Sequence, residues 1–85
     1  MEKITFSFES NNQLCSTTVE LIGCRDSWNG KAQIIGHPKI SELNINYRLG
    51  DYLSPLFVRE EDLIFFKPMI YEITNRATKL LPEDL

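Results

Sequence analysis

Apolar and polar residues alternate from the start of the chain. Ile4, Phe6 and Phe8 are separated by Thr5, Ser7 and Glu9. A period of two puts each set on its own face of a strand. Ser10-Asn11-Asn12 reads as a turn, because Asn tolerates left-handed dihedrals and bonds its own backbone. In the following LCSTTVELI, Cys15, Thr17, Val19 and Leu21 share one face. This predicts a second strand, antiparallel to the first.

The stretch GCRDSWNGKAQIIGHP, residues 23–38, holds the single Trp, the single His and one of the two Cys. Within it, Asn29-Gly30 predicts a two-residue hairpin turn, since both residues accept the positive φ that a type I′ turn requires. Lys31 to Ile35 would return as the third strand, with Cys24 opposite Ile35. Gly23 marks a candidate bulge, and Gly36-His37-Pro38 closes the strand. Leu43, Ile45, Tyr47 and Leu49 then alternate with Asn44, Asn46 and Arg48, predicting another strand that turns at Gly50-Asp51.

Leu56-Phe57-Val58 and Leu63 to Phe66 flank the charged Arg59-Glu60-Glu61-Asp62. Two readings compete: a hairpin with a charged loop, or a helix opening in the acidic residues. The second run is short and aromatic, which favours the hairpin. From Pro68 the period changes. Met69, Ile70, Ile73, Ala77, Leu80 and Leu81 recur at spacings of three and four, one apolar stripe of a helix. Pro68 suits its first turn, Glu72 and Arg76 form an i, i+4 pair, and Pro82 ends it.

These elements predict a single α+β domain over residues 1–85: an antiparallel sheet of five to six strands, mainly β-hairpins over 1–67, with one C-terminal amphipathic helix over 68–82 packed on one face. One helix covers only part of such a sheet, leaving apolar surface for a partner. On a strand, Phe65 and Phe66 would point to opposite faces. That implies a second apolar surface and, with so small a chain, a homodimer.

Composition narrows the function. Hydrophobic residues make up 42% and aromatic residues 11%, as in folded chains. Nine basic and twelve acidic residues give a net charge of −3. No basic cluster is visible to neutralise phosphates, so nucleic acid is not expected as a partner, although folding would have to keep Lys3, Arg25, Lys31 and Lys39 apart. No apolar run spans a bilayer, and the start lacks the apolar core of a signal peptide. Two Cys, Cys15 and Cys24, are expected as reduced thiols in a cytoplasmic protein.

Candidate chemistry centres on the same stretch. Cys24 with His37, oriented by Asp26, would make a nucleophile and base, but the spacing matches no nucleophile signature, and no catalytic residue is assigned. Cys15, Cys24, His37 and Asp26 lack the paired close spacing of structural zinc, so neither metal nor cofactor is expected. Glu60, Glu61 and Asp62 read as a solvated run. Trp28 before the predicted turn, flanked by Arg25 and Lys31, fits a binding anchor. Its alternative is a Trp folded back on the sheet in cross-strand contacts.

Trp28-Asn29-Gly30-Lys31 and Ile45-Asn46-Tyr47-Arg48 resemble segments of phage anti-defence proteins that sequester cyclic nucleotide signals. The resemblance implies a ligand-binding alternative. The strand-rich first half departs from the helical pattern of that group.

The expectation is a small non-enzymatic protein-binding or regulatory module, a homodimer, that engages a protein partner through an exposed hairpin tip at Trp28, Arg25 and Lys31. The alternative is a small-molecule or nucleotide binder with a pocket between protomers, lined by Trp28, Tyr47 and Arg48. A Cys-dependent enzyme ranks third.

Overall fold

The computed structural model describes residues 1–48, 54–55 and 59–83. The elements run β1 (Glu2–Ser10), β2 (Gln13–Cys24), β3 (Ser27–Ile35), β4 (Glu42–Arg48), β5 (Ser54–Pro55) and α1 (Glu60–Leu80). The fold is α+β: one antiparallel sheet in the order β1-β2-β3-β4-β5, with one C-terminal helix. Four strands are of full length, and β5 adds only a two-residue edge on β4. The expected five to six strands are therefore not matched. The expected elements at Leu49, Gly50-Asp51 and Leu56-Phe57-Val58 lie outside the described residues.

The first hairpin folds as its sequence predicts. Ser10 pairs with Gln13 across Asn11 and Asn12, whose φ values of 53° and 60° give the mirror-image turn that matches strand twist. The second hairpin does not. Cys24 pairs with Ser27, so the turn is Arg25-Asp26, and Asn29-Gly30 lies inside β3. A turn at Asn29-Gly30 would have exposed Trp28. Burying an indole of about 200 Å² is worth up to about 5 kcal/mol, whereas local strand and turn preferences span about 1 kcal/mol. The register shift keeps the indole dry.

Gly23 is not a bulge, because pairing runs without a break from Ser16 to Cys24. Its φ of +133° is the requirement there, and a Cβ would stand 2.4 Å from the Ser27 carbonyl oxygen. The β3–β4 connection is held by His37. Its Nδ1 accepts hydrogen bonds from the amides of Lys39 (3.1 Å) and Ile40 (2.9 Å).

The segment Leu63 to Phe66 is helical, not a strand. The helix starts at Glu60, where Glu60, Glu61 and Asp62 complement the positive end of the helix dipole. Pro68 consequently sits inside the helix rather than in its first turn. Its missing N–H deprives the Ile64 carbonyl of an intrahelical donor. Both residues are exposed, so this side of the helix faces solvent. An internal Pro costs about 3 kcal/mol, and burying Phe65 and Phe66 on the turns before it offsets this.

The core lies between the sheet and α1. Phe8 contacts Phe65 and Phe66 with ring centroids 6.4 and 6.2 Å apart, and His37 lies 4.8 and 5.1 Å from the same two rings. Both Phe side chains thus enter one core, so neither is placed on the opposite face of the sheet as their adjacency on a strand implied. Ile4, Phe6, Leu21, Ala32, Leu43 and Ile45 are all buried, so the helix side keeps no bare apolar sheet surface among the described residues. Met69, Ile70, Ile73, Ala77 and Leu81 form the expected stripe, while Leu80 is exposed. The predicted Glu72–Arg76 pair forms at 2.8 Å, and the Arg76 guanidinium sits 5.1 Å from the Phe6 ring centre. At the far end, the Arg25 amide donates to the Pro82 carbonyl at 2.8 Å, and the Arg25 guanidinium pairs with Glu83.

Candidate functional site

The three residues expected at an exposed tip do not converge. Trp28 is 1% exposed and stacks on Tyr47, with centroids 5.6 Å apart and planes 24° from parallel. Gly30 makes room for it: a Cβ there would meet Leu21 Cδ2 at 2.9 Å and Trp28 Cζ3 at 3.3 Å. The indole N–H has no acceptor among the described residues, so burial and stacking hold it. Arg25 does occupy the turn, but its guanidinium is turned onto Glu83. Lys31 lies on the opposite face of the sheet from Trp28 and pairs with Glu42 at 3.2 Å. The tip anchor is thereby replaced by the stapled Trp that was its alternative.

The same geometry separates Tyr47 from Arg48. They are consecutive on β4 and face opposite ways, with Tyr47 half-buried beside Trp28 and Arg48 exposed. A planar anion cannot enter between rings that already stack on each other.

Cys24 and His37 are also parted. Cys24 pairs with Ser27 at one end of β3, and its thiol contacts the Ser27 carbonyl oxygen at 3.6 Å. His37 follows Ile35 at the other end. The eight steps between Ser27 and Ile35 span about 26 Å at the rise of an extended strand, too far for a nucleophile and its base. Cys15 is buried and burial pushes its thiol pKa up, which disfavours the reactive thiolate. Among the described residues no three His, Cys, Asp or Glu side chains gather as metal ligands. No helix there is long and apolar enough to cross a membrane.

What the fold does assemble is the open face of the sheet. Strand alternation sends Ile22, Asn29, Lys31, Asn44 and Asn46 to this side, and all are exposed. The register aligns Ile22 with Asn29 and Asn29 with Asn46 in one row, and Lys31 with Asn44 in the next. They border a shallow concavity of about 340 Å³, completed by Glu20. The carboxamides of Asn29, Asn44 and Asn46 make no hydrogen bond among the described residues. Each keeps two donors and an acceptor for another molecule. Ile22 is 60% exposed at the rim, and Leu14 and Ile35, at 71% and 75%, stand on the same face toward its other end.

The charges of this face are mixed. Lys3, Glu20 and Lys31 lie side by side in one row across three strands. The cations alternate with an acid, so Lys3 and Lys31 do not make the basic patch that phosphate binding needs. The sequence offered a partial signal for this face: Asn44 and Asn46 alternate with apolar residues and so had to point outward. Asn29 was hidden by its resemblance to a turn residue. No family model matches this chain, and no curated protein or solved structure matches it.

Proposed function

We propose that this protein acts by binding another protein, without covalent chemistry, and that it does so across the open face of its sheet. The observation that carries this reading is the cluster of Asn29, Asn44 and Asn46 beside Ile22: unengaged amides next to an exposed apolar side chain, on a rigid four-strand platform. Interfaces combine an apolar centre with polar groups that need partners of fixed geometry. Small-ligand sites, by contrast, enclose most of their ligand's surface. This concavity is shallow, which weighs against the nucleotide alternative, as does the mutual stacking of Trp28 and Tyr47. The unpaired thiols of Cys15 and Cys24 fit a reducing compartment, the cytoplasm.

The test is substitution on the face. Ile22→Asp and Asn46→Arg should abolish capture of a protein partner from the host cell, while Tyr71→Asp on the exposed helix surface should not. All three should keep the native circular dichroism. Capture that survives both sheet-face variants would refute the site. A millimolar nucleotide that raises the melting temperature would favour the alternative.

A further inference from the structure

The two edges of the sheet differ. At one, β5 contributes Pro55, which has no N–H to offer a further strand. At the other, β1 runs for nine residues without a proline or a bulge and, among the described residues, pairs on one side only, with β2. A long regular edge of this kind presents a row of unpaired backbone groups.

Which groups point outward follows from the first hairpin. A two-residue turn closes on a hydrogen-bonded pair, here Ser10 and Gln13, and such pairs alternate along an antiparallel ladder. The even residues of β1 therefore bond to β2. Lys3, Thr5, Ser7 and Glu9 direct their N–H and C=O groups away from the sheet.

We propose that this edge pairs with the β1 edge of a second copy, antiparallel about a twofold axis at Phe6, so that the sheets of two copies become continuous. With the axis there, all nine residues overlap. Lys3 falls opposite the second copy's Glu9, and Thr5 opposite its Ser7. All four belong to the outward-directed set, so the backbone bonds form in phase. On the open face the ammonium of Lys3 meets the carboxylate of Glu9, once at each end of the interface. On the helix side Ile4 faces Phe8 and Phe6 faces its own copy, extending the core across the axis. A register displaced by two residues keeps the bonding phase but loses both charge pairs and part of the overlap. Charges on an edge commonly prevent pairing; the sequence EKITFSFES instead places them where a twofold axis makes them complementary. This inference stands apart from the partner-binding face, and either can fail alone.

Sedimentation equilibrium is the test. The native chain should show twice its 9.9 kDa mass. Glu9→Lys places like charges at both ends of the interface, and should weaken dimerisation roughly tenfold. Lys3→Glu should do the same. An equimolar mixture of the two variants restores opposite charges at both ends and should recover the native affinity as a heterodimer. Thr5→Pro, which removes an outward N–H and leaves the β1–β2 ladder alone, should give a folded monomer. A native chain that stays monomeric at 100 µM would overturn the proposal. So would a dimer indifferent to Glu9→Lys and to Thr5→Pro, or single variants that mixing does not rescue.

Discussion

Trp28 lies beside Gly30 on the same face of one strand, and the missing side chain of the glycine is the space the indole occupies. A Gly30→Ala methyl would press on Leu21 and on the ring itself. Leu21 Cδ2 is a movable end, so the strain is partly relieved. A loss of about 1–3 kcal/mol is expected, together with a shift in Trp fluorescence. Urea unfolding followed by that fluorescence measures both. Asn29→Ala, exposed on the other face, should change stability by less than about 0.5 kcal/mol.

Pro68 sits in the interior of α1 on its solvent side. Pro68→Ala restores a donor for the Ile64 carbonyl and removes the ring's clash with the preceding turn. The variant should be more stable by about 1–3 kcal/mol, even after allowing for the greater freedom of its unfolded chain. A denaturation midpoint at or below that of the native chain would show that the helix has been shaped around the proline.

The two thiols should behave differently. Cys24 is partly exposed and should react with an aromatic disulfide reagent in the native state, whereas Cys15 should react only on unfolding. Burial raises the Cys15 pKa, and the consequence for stability has a definite sign. Below the ordinary thiol value of about 8.5 both folded and unfolded chains keep the proton, and the contribution is fully present. As pH rises through that value the unfolded chain ionises first, so stability falls until the folded thiol titrates as well. Cys15→Ala should therefore lose more stability at pH 7 than at pH 10, as read from urea midpoints.

His37 acts through an acceptor and through its ring. His37→Ala strands the amides of Lys39 and Ile40 and removes the ring from Phe65 and Phe66. A loss of about 1–3 kcal/mol is expected. His37→Asn places an oxygen where Nδ1 stood and should recover part of that loss. Equal losses in the two variants would assign the whole effect to the aromatic contacts.

Much of this fold was legible wherever a single period ruled. The alternation of Ile4, Phe6 and Phe8 and the three-four spacing from Met69 to Ala77 each left one reading. Legibility failed where a local signal opposed a distant one. Asn29-Gly30 is a strong turn pair, but the indole two positions away from Gly30 needed burial against Tyr47, a contact that alternation alone does not reveal. Leu63 to Phe66 is strand-like in isolation. It becomes helical because Phe65 and Phe66 can reach Phe8 and His37 only from the helix surface. The site residues depend on the same turn: placing it at Arg25-Asp26 and not at Asn29-Gly30 sends Trp28 into the core and carries Lys31 away from the tip.

The order of the strands also bears on how the chain reaches this state. Each strand pairs with its neighbour in sequence, and two-residue turns close the first two hairpins. Such hairpins zip up within microseconds from local encounters. The Phe8–Phe66 contact instead closes a far longer loop, which costs more entropy than a two-residue turn. The meander can therefore assemble before the helix arrives, with Ile4, Phe6 and Phe8 still bare. A sheet formed ahead of α1 would hold those three side chains in water, so docking of the helix is the step that removes this chain's aggregation-prone surface.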